Sequence, residues 1–196
     1  MDFHYHPLKA DGSSIRLLRL SRWSTEDIIK CRMVHLSVTS CNYIALSYTW
    51  GPILPRHLQK HIIVNGQRLF VQDNAFSFLR RCAKWREYCL IWIDAICINQ
   101  DDYDERSSQI AMMGRIYFSA KAVQMWFGSQ PLDASVYLLA RHHPLDDELA
   151  FLAAPTSDSW YARAIRHALS MFCKHQYWRR LWIVQEVMLA TEICIL

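Results

Sequence analysis

Three short stretches of this chain gather side chains that together can hold a small molecule. The first is Ser47, Tyr48, Thr49, Trp50 and Gly51. The second joins Asp94 to Asn99 and Gln100. The third carries Arg179, Trp182, Gln185 and Glu186. Trp182, Gln185 and Glu186 are spaced i, i+3, i+4 and share one helical face, with Arg179 a turn behind them. An indole, an amide, a carboxylate and a guanidinium on one face offer stacking, directed hydrogen bonds and charge, which is what a polar-aromatic ligand pocket needs.

Each group also has a plainer reading. Ser47 and Tyr48 can satisfy backbone groups at a strand end. Asp94 can cap the turn after it or pair with a buried arginine. Glu105 and Arg106 fit a helix start, where an acid complements the dipole and a surface pair forms. Gln185 and Glu186 can form a buried structural hydrogen-bond pair. The eight tryptophans suit a core.

The elements that must position these groups follow from local patterning. Residues 15–20 and 31–36 read as short strands, and 43–48 as a stronger one closed by Thr49, Trp50, Gly51 and Pro52. Residues 61–64 and 67–71 flank Asn65-Gly66, the dipeptide of a tight hairpin. Asp73 or Asn74 can cap a helix to about Tyr88 whose inner face is Phe76, Leu79 and Ala83. Residues 90–98 form a nearly continuous apolar run, as a central strand covered on both faces would. A helix follows from about 105 to 119, with Ile110, Met113 and Tyr117 on one face, and then a strand at 122–127.

Residues 129–158, punctuated by Pro131, Pro144 and Pro155, read as a variable insert with a short helix near 132–142. Helices at about 159–175 (stripe Trp160, Ala164, Ala168, Phe172) and 179–190 precede a final strand from 192. Strands alternating with helices predict an α/β fold: a mostly parallel central sheet flanked by helices, with an antiparallel β-hairpin inserted early. The strand at the very end of the chain reads as a fragment of a longer protein. In such sheets ligands gather at the carboxyl ends of the strands, where the three clusters fall.

Composition narrows the function classes. The chain has 196 residues, 52% of them hydrophobic and 20% charged, which excludes a disordered chain. A net charge of +4 is too weak to argue for nucleic acid, and Lys84, Arg86, Arg179 and Arg180 form no run interleaved with stacked aromatics. No apolar run reaches membrane-spanning length, and the first residues lack a secretory signal. The seven cysteines are odd in number and form no CxxC pair. Reduced, mostly buried thiols in a cytoplasmic protein are expected. No metal is expected either, since His4/His6 and His142/His143 lack partners at ligand spacing.

Residues 43–51 (YIALSYTWG), 92–100 (WIDAICINQ) and 178–186 (WRRLWIVQE) resemble the three blocks of the fungal heterokaryon incompatibility (HET) domain. Glu105-Arg106, Gln109, Met113, Ile116-Tyr117, Ala120 and Trp126-Phe127-Gly128 fit its second block, with Phe127 where leucine is common. The resemblance spans roughly 15–196 and implies a single HET domain over residues 1–196. It also implies a role in non-self recognition and programmed cell death, usually as one part of a larger regulated protein.

A more distant likeness is to Toll/interleukin-1 receptor (TIR) domains. Residues 45–48 look like their first strand, and residues 180–190 like their tryptophan-and-glutamate helix. In TIR enzymes that degrade NAD the glutamate of that helix is catalytic, which points to Glu186. Breaking the nicotinamide–ribose bond passes through an oxocarbenium-like state that a nearby carboxylate stabilises. Under that reading Ser47, Tyr48, Trp50, Gly51, Asp94, Asn99, Gln100, Arg179, Trp182 and Gln185 contact the substrate. Trp182 or Trp50 stacks on a base and Arg179 holds a phosphate. Glu105, Arg106 and Gln109 are secondary. NAD is then a substrate rather than a cofactor, no metal is required, and self-association or a regulatory domain is expected. The alternative is a non-enzymatic signalling module that acts by oligomerisation and partner recruitment.

Overall fold

A computed structural model describes residues 1–85, 89–128 and 160–196. The insert at 129–158, its short helix, His142, His143 and Arg86 lie outside the described residues. The chain divides into two compact units, Met1–Ser129 with Leu181–Leu196, and Gln130–Arg180.

The first unit is built on an eight-stranded sheet in the order β5-β4-β2-β1-β6-β3-β7-β8. The strands are β1 (Ser14–Leu20), β2 (Lys30–Ser37), β3 (Ile44–Tyr48), β4 (Lys60–Val64), β5 (Gln67–Val71), β6 (Leu90–Trp92), β7 (Ala122–Trp126) and β8 (Ile193–Ile195). The sheet is mixed: among the described residues four of its pairings are parallel, β2 with β4 included, and three are antiparallel. β6, β3, β7 and β8 run parallel to one another. β1 runs antiparallel to both β2 and β6, and β4 antiparallel to β5. The physical reason is the connection length: β1 joins β2, and β4 joins β5, by short links with no crossover helix, so those neighbours must reverse direction.

The hairpin forms as its turn chemistry predicts. Asn65 has φ 51° and Gly66 φ 83°, the left-handed pair that a two-residue hairpin demands. Asn65 also accepts from the Met33 backbone N–H at 3.1 Å, tying the hairpin to β2.

The run at 90–98 is not one strand. β6 stops at Trp92, and α2 (Asp94–Cys97) is a single helical turn. The Asp94 carboxylate accepts from the Ala95 N–H at 2.7 Å, and its carbonyl accepts from Ile98 N–H at 3.2 Å. A short acidic side chain thus offers the backbone a local alternative to the sheet ladder, and an apolar run cannot reveal that competition.

Two helical stripes also differ from expectation. In α1 (Asp73–Trp85) the buried residues are Ala75, Phe78, Leu79, Cys82 and Ala83, while Phe76 is half-buried. In α3 (Tyr103–Ser119) they are Gln109, Met113, Ile116 and Tyr117, and Ile110 is 37% exposed. The α3 face is rotated because Gln109 donates inward to the Ser14 carbonyl at 3.1 Å and the Tyr117 hydroxyl to the Leu46 carbonyl at 3.2 Å. Two polar anchors set the helix's angle over the sheet. α3 covers one face; α1 covers the other, where Phe78 meets Trp126 edge-on with centroids 6.1 Å apart.

Asp102 caps α3 by accepting from the Glu105 N–H at 3.0 Å. Asp102→Ala is expected to cost about 1 kcal/mol, with Asn retaining most of it. Urea denaturation of both variants checks this.

Cys31, Cys82 and Cys97 are buried, Cys41, Cys89 and Cys194 half-buried, and Cys173 exposed, so burial is less general than expected. Burial pushes the Cys31 and Cys97 thiols up to about 12, leaving them protonated and inert.

The second unit carries α4 (Trp160–Lys174) and a 3-10 turn at Gln176–Arg179. Trp178 packs edge-on against Phe172 and Tyr177 at 5.0 and 5.2 Å and donates to the Phe172 carbonyl at 2.7 Å. The helix expected at 179–190 is shorter: α5 spans only Ile183–Met188.

Candidate functional site

The carboxyl end of β3 positions the first cluster. Adjacent strand residues point to opposite faces, so Ser47 and Tyr48 diverge, although both are buried. Ser47 points to the α3 side and its hydroxyl donates to the Glu186 carboxylate of α5. Glu186 is fully buried, with no exposed surface. Tyr48 pairs in register with Trp126, on the side covered by α1.

Beyond the strand the chain turns outward. The Asn74 side chain, at the start of α1, donates to the Thr49 carbonyl at 2.8 Å. Gly51 has φ 78°, a conformation that strains any residue with a Cβ, and that Cβ would stand 3.4 Å from the Asn74 amide.

The second cluster joins this rim. The Trp50 indole N–H donates to Asp94 at 2.9 Å. Gln100 donates from its amide to the Asp94 carbonyl at 3.0 Å, and Arg106 donates to the Gln100 carbonyl at 3.2 Å. Trp50, Asn99 and Gln100 line a cavity of about 420 Å³, within the range of small-molecule sites. Asn99 bends the turn, its side chain accepting from Asp101 N–H at 3.3 Å.

The third cluster does not assemble as a shared face. Glu186 turns inward to Ser47, whereas Gln185 is exposed and Trp182 is 41% exposed. Trp182 is the N-cap of α5 and already has helical backbone angles (φ −76°, ψ −14°), but the side of this short helix that is buried carries Ile183 and Glu186, which leaves Trp182 and Gln185 toward solvent. Arg179 is exposed and belongs to the other compact unit.

Glu105 is not a surface partner of Arg106. Its carboxylate takes both terminal nitrogens of Arg16, one at 2.8 Å, and Arg16 is fully buried in β1. Glu105 also accepts from the Asn99 N–H at 2.7 Å, fixing the loop that carries Gln100. Arg106 instead lies over the Tyr103 ring at 5.4 Å. Gln109 anchors α3 to β1, as described above.

Residue patterns missed Arg16 and Tyr5, and offered Asn74 only as a helix cap, not as the donor to Thr49. Arg16 sits within the apolar run at 15–20, and that position was the available signal. Tyr5, whose ring Arg16 overlies at 5.0 Å, donates to the Ile96 carbonyl at 2.9 Å, and burial raises its phenol well above the ordinary range, keeping the donor. Among the described residues no three His, Cys, Asp or Glu side chains converge as a metal would require.

Comparison with known proteins connects these elements. No solved structure matches the chain. It is 37% identical over 133 residues to heterokaryon incompatibility protein 6, OR allele, of Neurospora crassa, a match covering 62% of this chain and 20% of that protein. The chain therefore corresponds to about a fifth of that relative's length. The family described as heterokaryon incompatibility protein (HET) matches residues 43–186, from the start of the Ser47 strand to the Glu186 that Ser47 contacts. With most of its length covered from β3 to α5, this chain belongs to the HET family.

Proposed function

We propose that this chain is the cell-death effector domain of a fungal non-self recognition protein, acting in the cytoplasm through self-association and partner recruitment. Family membership supports the incompatibility role. The observation that carries the mode of action is the burial of Glu186 on Ser47: a carboxylate with no exposed surface touches no ribose. On the outer side of the same segment Leu181, Val184 and Met188 are 83%, 62% and 76% exposed, which suits a surface for assembly. No helix among the described residues is long and apolar enough to cross a membrane.

A second reading is hydrolysis of NAD or a related nucleotide at the nicotinamide–ribose bond by a TIR-like site. What favours it is the position of Glu186 beside the carboxyl end of β3, in the parallel half of the sheet where ligands collect. It requires α5 to move so that the carboxylate reaches the crevice, as assembly could drive.

Glu186→Gln separates the two, because it keeps shape and removes charge. Under the assembly reading, cells expressing the variant still die, and concentrated wild-type protein releases no nicotinamide from NAD. Nicotinamide release by wild type, together with loss of both release and toxicity in the folded variant, would establish the hydrolase instead.

A further inference from the structure

The 420 Å³ cavity beside Trp50 is one end of a longer cleft. A second cavity of about 650 Å³ shares six wall residues with it, including Tyr5, Gln59 and Phe70. Neither Ser47 nor Glu186 lines either cavity. The two ends differ in chemistry.

At one end Trp50 presents its indole, held in place by the bond to Asp94 and still 37% exposed. The amides around it offer both hydrogen-bonding senses. Gln59 spends its NH₂ on the Leu54 carbonyl at 2.7 Å and retains an acceptor oxygen. Gln72 accepts from the Leu54 N–H at 3.2 Å and retains a donor. A fixed indole with donor and acceptor nearby suits a planar heteroaromatic base.

At the other end stand Arg56 and Arg68, with His4 and Asp2. The Asp2 carboxylate bridges both guanidiniums, hydrogen-bonded to Arg56 and 3.8 Å from Arg68. Both arginines are more than half exposed, so they stay accessible to a competing anion. Arg56 is also braced over the Phe70 ring at 4.6 Å. Asp2 thus occupies the place of an anion held by two arginines, the residue type that grips phosphate in forked geometry. Asp101, in the shared wall, repels a phosphate there and accepts from hydroxyls, which sorts a ribose to the middle and the phosphate to the arginine end.

We propose that this cleft binds a nucleotide, with its base against Trp50 and its phosphate between Arg56 and Arg68 in place of Asp2. The site goes beyond the incompatibility role and does not depend on Glu186.

Calorimetric titration of the purified chain with ADP, adenosine and inorganic phosphate tests it, with urea midpoints reporting that each variant is folded. ADP is expected to bind more tightly than adenosine. Arg56→Gln with Arg68→Gln weakens ADP roughly tenfold or more, since charge-assisted bonds are lost, and leaves adenosine unchanged. Trp50→Leu weakens both ligands, and Asp2→Asn tightens ADP by removing the competing carboxylate. Glu186→Gln leaves ADP binding intact, so failure here and failure of the hydrolase reading are distinguishable. Absence of ADP binding at about 1 mM, the weak end of specific affinity, would overturn the proposal. So would ADP affinity indifferent to the double arginine variant, or phosphate binding as tightly as ADP.

Discussion

Glu105→Ala is expected to destabilise the chain by about 3–5 kcal/mol, because it strands a buried cation. Arg16 lies fully buried in β1, between β2 and β6. Its terminal nitrogens reach Glu105, the Cys97 carbonyl at 3.2 Å and the His6 carbonyl at 2.6 Å. Two carbonyl dipoles cannot replace a carboxylate in an interior where charge is poorly solvated. The loss also removes the acceptor for Asn99 N–H, so the loop bearing Gln100 loosens with the core. For a chain of this size the melting temperature should fall by roughly 6–20 °C. Replacing both partners, Arg16→Met with Glu105→Met, should restore much of the loss, since a buried pair is often matched by apolar groups of similar volume. A Glu105→Ala cost below about 1 kcal/mol, the scale of an exposed pair, would show that solvent reaches Arg16 and that the pair is peripheral.

Ser47→Ala should cost about 1–3 kcal/mol, the penalty for leaving a buried acceptor short of a donor. The Ser47 hydroxyl joins β3 to α5 across the long stretch of chain between them. In a Glu186→Gln background the same change should cost less, because a neutral amide oxygen accepts a weaker bond than a carboxylate. Urea denaturation of the two single variants and the double variant measures that difference directly. If the costs simply add, the two side chains do not cooperate and Glu186 owes its burial to other contacts. The result also bears on function. A strong coupling means that exposing Glu186 carries a substantial cost, which favours action through assembly over resting hydrolysis.

Local signals in the chain determined the elements that depend on local physics. The Asn65-Gly66 hairpin, the strands at 43–48 and 122–127 and the helix from about 105 to 119 all rest on turn chemistry or periodicity that neighbouring residues express by themselves. The HET blocks were equally legible, because they are stretches of residues in order. Spacing could not show that Asp94 ends β6 early, since a side chain competing for backbone hydrogen bonds looks like one acid in an apolar run. It could not show that Trp182, Gln185 and Glu186 part company, because neighbouring positions on a helix lie about 100° apart and only the packing of α5 decides that Ile183 and Glu186 face inward. Pairings between residues far apart in the chain were decided by tertiary structure alone: Arg16 with Glu105, Ser47 with Glu186, Trp50 with Asp94. A charge in a strand announces that it needs a partner, but which carboxylate supplies one depends on how helices cross the sheet, and that is settled by packing over the whole unit.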